Sequence, residues 1–249
     1  MNEHELTLVM KGETMIYVTS DIHGKYDKYQ ALLTKINLTK KDALIILGDI
    51  VDRGKHSMEI LLDVMQRDNI FVILGDHEQI ALMCLSKLNQ TITNESIDQF
   101  SGELMEILEE WLFHLGGQAT LNSFMRLSPK ERTAVLDYMD GLPIYETFEI
   151  NHQKYLLIHG GLENFSKEKN IDDYSEDELI WCRPDYGTSY FKDTIVITGH
   201  TPTRTIPENP RPDYIFKANN HIAIDCGCGY PGGQLGCICL NTMEEFYVN

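Results

Sequence analysis

Short apolar runs rich in Ile, Val, Leu and Tyr recur at residues 15–19, 43–47, 70–74, 155–158, 195–198 and 221–224. The first three are separated by segments 28–36 and 57–67, where apolar residues fall at helical spacing; Met58, Leu61, Leu62 and Met65 share one face. Strand, helix, strand, helix, strand is the pattern of crossover connections. It constrains the chain to an α/β fold with a mainly parallel sheet covered by helices. Residues 79–140 read differently. Segments 80–88 and 103–115 look helical, and 129–140 opens another helix behind Ser128 as N-cap and Pro129 at the first helical position. The expectation is a helical insertion, then a return to strands that ends in an antiparallel run around 223–226 and 236–240. No linker divides the 249 residues, so one domain is expected, with 79–140 as its insertion.

The residues just past each run are more informative than the runs themselves. The first run ends in Asp21-Ile22-His23-Gly24, the second in Gly48-Asp49-Ile50-Val51-Asp52-Arg53-Gly54 and the third in Gly75-Asp76-His77-Glu78. Two later runs end in His159-Gly160-Gly161 and Gly199-His200. Ligands of open α/β sheets bind at the carboxyl ends of strands, where these side chains would gather. Oxygen and imidazole donors without cysteine suit manganese, iron or zinc. The period-2 geometry of a strand end lets Asp21 and His23 face one side. One carboxylate, best placed at Asp49 after the central run, could bridge two ions about 3.5–4 Å apart. Taken singly, each Asp or His has an ordinary reading as a turn or packing residue. Together, in this order, they do not.

These motifs resemble the phosphoprotein phosphatase family within the calcineurin-like metallophosphoesterases, which carry Asp-x-His-Gly, Gly-Asp-x-Val-Asp-Arg-Gly, Gly-Asn-His-Glu and two later histidines. The likeness runs from about Ile16 to the final strands. Trp181-Cys182-Arg183-Pro184, Gly199-His200-Thr201-Pro202 and Trp111-Leu112 with Gly116-Gly117-Gln118-Ala119-Thr120-Leu121 resemble the bacterial and phage-type protein phosphatases. The resemblance implies a β-sandwich of mixed sheets flanked by helices. It implies one metal held by Asp21, His23 and Asp49 and a second held by Asp49, Asp76, His159 and His200. Arg53 and Arg183 would hold phosphate oxygens, a task for planar bidentate donors. His77, oriented by Asp52, would protonate the leaving alkoxide. The implied reaction is attack on phosphorus, in line, by a hydroxide bridging two divalent ions, manganese before iron or zinc.

The preferred expectation is therefore a phosphomonoesterase acting on phosphoserine or phosphothreonine in proteins, or on a small phosphoester. The related symmetrical dinucleotide tetraphosphate hydrolases typically carry Trp where this chain has Thr201, which favours that reading over the alternative, a nucleotide or dinucleotide polyphosphate hydrolase. A third reading rests on Asp76, where the family has Asn. An ionised carboxylate keeps the metal but loses the amide donor and faces the incoming phosphate. At about 4 Å and an effective dielectric of 20 a unit pair is worth on the order of 4 kcal/mol, an upper bound beside a cation. A weakened, phosphate-binding relative of the enzymes is the outcome that such repulsion would produce.

Composition agrees with this. With 21 Lys and Arg against 38 Asp and Glu, the formal charge is −17. Such a surface argues against nucleic acid or an anionic membrane as partner, and metal ions would supply the local positive field. Residues 1–6 show no basic and apolar leader, no run reaches the roughly 20 residues that span a bilayer, and the six cysteines read as thiols, so a cytoplasmic protein is expected. Cys226, Cys228, Cys237 and Cys239 form two Cys-x-Cys pairs, read as period-2 core thiols in preference to a zinc site. Asp225 is expected to support the active-site floor, and His4, His56, His114, His152 and His221 to be surface or packing residues.

Overall fold

The computed structural model describes residues 14–90 and 102–249. His4 and residues 91–101 of the expected insertion lie outside them. The frame is two five-stranded sheets. In the first, β1 (Ile16–Thr19), β2 (Ala43–Leu47) and β3 (Ile70–Ile73) run parallel. In the second, β4 (Tyr145–Ile150), β5 (Gln153–Ile158), β6 (Thr194–Thr198), β7 (Phe216–Ala218) and β8 (His221–Ala223) lie in the order β4-β5-β6-β8-β7, with β5, β6 and β8 parallel. Strands β9 (Leu235–Cys239) and β10 (Glu245–Val248) extend the first sheet antiparallel beyond β1. Each sheet thus has a parallel trio, extended by antiparallel pairing on one side in the first sheet and on both sides in the second, which is the mixed sandwich that the resemblance implies.

Side-chain alternation decides what each face meets. Ile16, Val18, Ile45, Leu47 and Ile73 face the second sheet and pack with Tyr155, Leu157, Ile197 and Ile222. Tyr17, Leu44, Ile46, Ile70 and Val72 face the helices. β2 is therefore buried on both faces, as a central parallel strand covered on both sides must be. Helix α1 (Tyr26–Lys35) carries the crossover from β1 to β2, and α2 (Ser57–Val64) that from β2 to β3. Helix α3 (Asp76–Leu88) follows β3, and α4 (Gly102–Glu109), α5 (Gly117–Phe124) and α6 (Pro129–Asp140) complete the helical layer. α6 begins as the sequence predicts. Ser128 Oγ accepts from the Glu131 amide and Glu131 accepts in return from the Ser128 amide at 2.8 Å, with Pro129 at the first position. α7 (Glu176–Ile180) lies in the long β5–β6 connection.

Several expectations are corrected. Helix α3 starts at Asp76, so the third motif is the first turn of a helix and not a loop before it. The helix expected over 103–115 becomes a π-turn at Glu110–His114, and that over 57–67 ends at Val64. β4, β7 and β10 are edge strands; Glu146 and Glu149, on opposite faces of β4, break its apolar alternation and hide it among solvated segments. Segments 223–226 and 236–240 do not pair antiparallel, because β8 and β9 belong to different sheets. Gly227, at φ 74°, turns the chain from one sheet to the other, leaving a bridge between Gly227 and Gln234. The same turn breaks the expected alternation of Cys226 and Cys228, which face different cores, whereas Cys237 and Cys239 share the helix-side face. All six cysteines are free thiols. No helix among the described residues is long and apolar enough to cross a membrane.

The central strand contributes to both cores. Ile46→Ala, at a fully buried position, is expected to lower unfolding free energy by about 2–5 kcal/mol in chemical denaturation.

Candidate active site

Every site residue predicted from sequence except Arg183 lies just past the end of a parallel strand. Asp21 and His23 follow β1; Asp49, Asp52 and Arg53 follow β2; Asp76 and His77 open α3; His159 follows β5 and His200 follows β6. Six of them hold the left-handed backbone region that L-residues avoid: Asp21, His23, Asp49, Asp52, Arg53 and His200, at φ 48–69°. Such positions cost on the order of 1–3 kcal/mol each and persist where surrounding bonds over-determine them.

Those bonds are visible. The amides of Asp21, His23 and Gly24 donate to the carbonyls of Gly48, Asp49 and Ile50, at 3.2, 2.8 and 2.7 Å, so the first two loops are stitched together. Glu78, fully buried, accepts from the amides of Asp49 (2.7 Å), Ile50 (2.8 Å), Val51 (3.0 Å) and Gly75 (3.2 Å). Burial and the nearby Asp49 push its carboxyl up to about 7, against the pull of these amides. A side chain at Gly75 would sit 2.5 Å from Asp49 Oδ1, so the third motif can approach the second only through glycine.

The stitched loops bring two donor sets to one place. His23 Nε2 is 4.0 Å from Asp21 Oδ1 and 3.5 Å from Asp49 Oδ2. His159 Nε2 is 3.4 Å from Asp49 Oδ1 and 2.8 Å from Asp76 Oδ1, which also lies 2.9 Å from His200 Nδ1. Asp49 stands between the sets, with Oδ2 toward His23 and Oδ1 toward His159. His23 Nδ1 donates to the Val51 carbonyl at 2.9 Å and His159 Nδ1 to the Leu47 carbonyl at 2.6 Å. A carbonyl can only accept, so Nδ1 carries the proton in both rings and Nε2 is the atom that faces the cluster, the orientation of metal-ligating histidines. Against the pull of burial, Asp49 and the bond to Asp76 hold His159 well above its ordinary value, so a cation there would displace a proton.

The donor set fits cations on a second ground. Burial, then the charges of Asp225 and Asp49, hold the Asp21 carboxyl well above its ordinary range. Asp225, buried beside them, is pushed up to about 6, chiefly by burial. Burial drives His23 well below its ordinary value, with His77 and Arg53 adding to the fall. Crowded carboxylates with a neutral imidazole aimed at them make an environment that divalent ions relieve. The buried groups His23–Asp49–His77, Asp76–His159–His200 and Asp21–Asp49–His159 each place their donor atoms within 4.8 Å.

Beside the cluster His77 Nδ1 bonds Asp52 Oδ2 at 2.6 Å. Burial alone would lower His77, but Asp49 and the bond to Asp52 raise it to about 9. Arg53 reaches the same point, with Nη1 2.5 Å from His23 Nε2 and Nη2 3.0 Å from His77 Nε2. Arg183 stands apart. It is exposed at the rim, donating to the His200 carbonyl at 3.5 Å. It lines a cavity of about 620 Å³ with Trp181, Phe165 and Tyr190. The other histidines behave as expected. His56 and His152 are exposed beside glutamates, His114 is exposed, and His221 packs between Tyr186 and Tyr190.

Sequence reasoning missed Glu78, although it closes the third motif, and Tyr230, whose ring lies 4.6 Å from the Arg53 guanidinium. The first had a signal in its place directly after His77; the second had none beyond its neighbouring glycines.

The profile of the calcineurin-like phosphoesterases matches residues 14–227. The symmetrical bis(5'-nucleosyl)-tetraphosphatase of Wigglesworthia glossinidia brevipalpis is 32% identical over 39% of this chain; the match spans only 36% of that protein. Two relatives align along nearly the whole chain, both asymmetrical bis(5'-nucleosyl)-tetraphosphatases. That of Halalkalibacterium halodurans is 23% identical over 91% of this chain and 90% of its own length. That of Bacillus subtilis is 25% identical over 88% and 87%. Among solved structures, a candidate diadenosine tetraphosphatase superposes with TM-score 0.65 at 18% identity, covering 96% of this chain and 94% of its own. A serine/threonine phosphatase from Saccharomyces cerevisiae superposes with TM-score 0.57 at 16% identity, covering 95% and 79%. Both share the fold.

Glu78→Gln keeps the shape of the side chain but removes the charge that gathers the loop amides. It is expected to weaken manganese binding about 10–100-fold in calorimetric titration of metal-stripped protein, with a lowered Tm.

Proposed function

The chain belongs to the calcineurin-like phosphoesterase family, and from that premise we propose that it is a two-metal hydrolase of dinucleoside polyphosphates. The observation that carries the chemistry is the convergence of Asp21, His23, Asp49, Asp76, His159 and His200 around Asp49, with His77 and Arg53 beside them. The substrate class rests on the tetraphosphatases that align along about nine-tenths of both lengths. These relatives move the expectation from phosphorylated proteins to its alternative. The Thr201 departure speaks only against the symmetrical enzymes, whereas the full-length likeness is to asymmetrical ones.

Asp21, His23 and Asp49 would hold one ion, and Asp49, Asp76, His159 and His200 the other, with manganese, iron or zinc all suited to the donors. Two such ions supply Lewis acidity toward the phosphoryl oxygens and a nucleophile from water near neutral pH. The chain's own residues do the rest. Arg53, beside His23 and His77, would donate to phosphate oxygens from the in-plane N–H edge of its guanidinium. Arg183 offers a second guanidinium at the rim, next to a cavity whose size and aromatic lining suit a nucleoside. His77 carries a proton at Nε2 toward the leaving oxygen while Asp52 accepts from Nδ1. When the leaving group is itself a phosphate, with pKa about 6, that proton matters less than it does for an alkoxide.

Two measurements test this. Under saturating manganese, kcat/KM for diadenosine tetraphosphate is expected to exceed that for a phosphoserine peptide by about tenfold or more, a difference of about 1.4 kcal/mol in barrier. The products should be a nucleoside triphosphate and a monophosphate. A preference for the peptide would return the protein phosphatase reading. Asp76→Asn removes one negative charge beside the incoming phosphate. Inorganic phosphate is expected to inhibit that variant about three- to tenfold more tightly, since the cation screens most of the repulsion. Unchanged inhibition with unchanged metal content would remove any role for Asp76 in phosphate binding.

A further inference from the structure

The segment Trp111–Thr120 of the helical layer has no part in the metal and phosphate contacts, yet its side chains end on Asp52. The Trp111 indole N–H lies 3.1 Å from Asp52 Oδ1 and 3.0 Å from Oδ2. The Thr120 hydroxyl donates to Oδ1 at 2.7 Å and accepts from the Asp52 amide at 2.8 Å. Ser57 Oγ, 3.2 Å away, borders the same hydroxyl. Oδ2 then takes His77 Nδ1 at 2.6 Å. Asp52, Trp111 and Thr120 are all fully buried, so no water competes for these bonds.

The local backbone is shaped to make the contacts. Trp111 sits on the π-turn Glu110–His114, a rare widening of the helix that tends to mark functional sites. A side chain at Gly117 would meet the indole ring at 2.3–2.5 Å, so only glycine lets the start of α5 lie on that ring. Gly116, at φ 91°, turns its carbonyl to accept the Arg53 amide at 3.2 Å. A hydrophobic anchor would need none of this. Phe would fill the same volume without an N–H, and Val would replace Thr without a hydroxyl.

We propose that Trp111 and Thr120 are positioning residues that hold the Asp52 carboxylate in register with His77, so that the imidazole presents Nε2 to the leaving oxygen. They act through Asp52 and touch neither substrate nor metal. The inference rests on the assignment of His77 as general acid. It predicts a dependence on leaving group that a merely structural role lacks. Protonation matters most for phenyl phosphate, whose phenol resembles tyrosine with pKa about 10, and least for p-nitrophenyl phosphate, whose leaving group is the better one.

The test compares kcat on these two esters for Trp111→Phe, Thr120→Val, Thr120→Ser and His77→Asn, all manganese-saturated and with metal content measured. Trp111→Phe and Thr120→Val should lose about tenfold or more on phenyl phosphate, a fraction of the roughly 10²–10⁴ that general acid catalysis contributes. Their loss on p-nitrophenyl phosphate should be less than about threefold, with KM unchanged on both. Thr120→Ser, which keeps the hydroxyl, should restore the loss and keeps the test sound if Trp111→Phe folds poorly. Equal losses on both esters, or none, would overturn the proposal while leaving His77 in place if His77→Asn still discriminates between them. If His77→Asn fails to discriminate, the general-acid assignment falls and the positioning role falls with it.

Discussion

The buried carboxylate of Glu78 is the interaction on which the rest of the site depends. Four backbone amides from two motifs converge on it. It holds the first half of the loop after β2, from Asp49 to Val51, while Thr120 and the Gly116 carbonyl hold the amides of Asp52 and Arg53. That loop in turn carries the loop after β1 through three amide–carbonyl bonds. One charge, supplied by the first turn of α3, thus sets the spacing of the first three motifs. The carboxylates of Asp21 and Asp225 so gathered are unfavourable as charges by themselves, chiefly through burial and then through Asp49, whereas Asp76, also buried, is steadied by His159 and His200. The fold's two cores hold such a cluster together because each motif hangs from the buried carboxyl end of a strand.

Much of this was legible in the sequence. Apolar runs that end in Asp and His place donors at strand ends, and the alternation of strands and helices makes those ends point one way. Helix α6 could be read to its residue because Ser128, Pro129 and Glu131 write a capping box. What was not legible depends on contacts between distant segments. Nothing in Ala223–Cys226 or Gly236–Leu240 says that they join different sheets; Gly227 decides it by a turn. The edge strand Tyr145–Ile150 carries a glutamate on each face, Glu149 on the exposed one with Thr147, and reads as solvated. Glu78 and the Trp111–Thr120 segment were visible as motif letters, but apart from Gly75 the partners of Glu78 are 27 and more residues away, and Asp52 lies 59 residues from Trp111.

The substrate reading shows a different limit. The ligand pattern specifies a chemistry and not a leaving group, since one scaffold hosts many reactions. The proposed substrate class rests instead on whole-length likeness to asymmetrical tetraphosphatases. Arg183 stands outside the cluster, with Trp181 beside it 6.4 Å from His200, next to a cavity with aromatic walls. A net charge of −17 is compatible with a polyanionic substrate only if the site supplies its own positive field, which returns the argument to the ions.

The most direct test is therefore metal stoichiometry against activity. Metal-stripped protein titrated with manganese, with diadenosine tetraphosphate hydrolysis followed at each step, should be inactive at the start and reach full rate at two ions per chain. Full rate in stripped protein, or saturation of activity at one ion, would contradict the two-metal account built around Asp49.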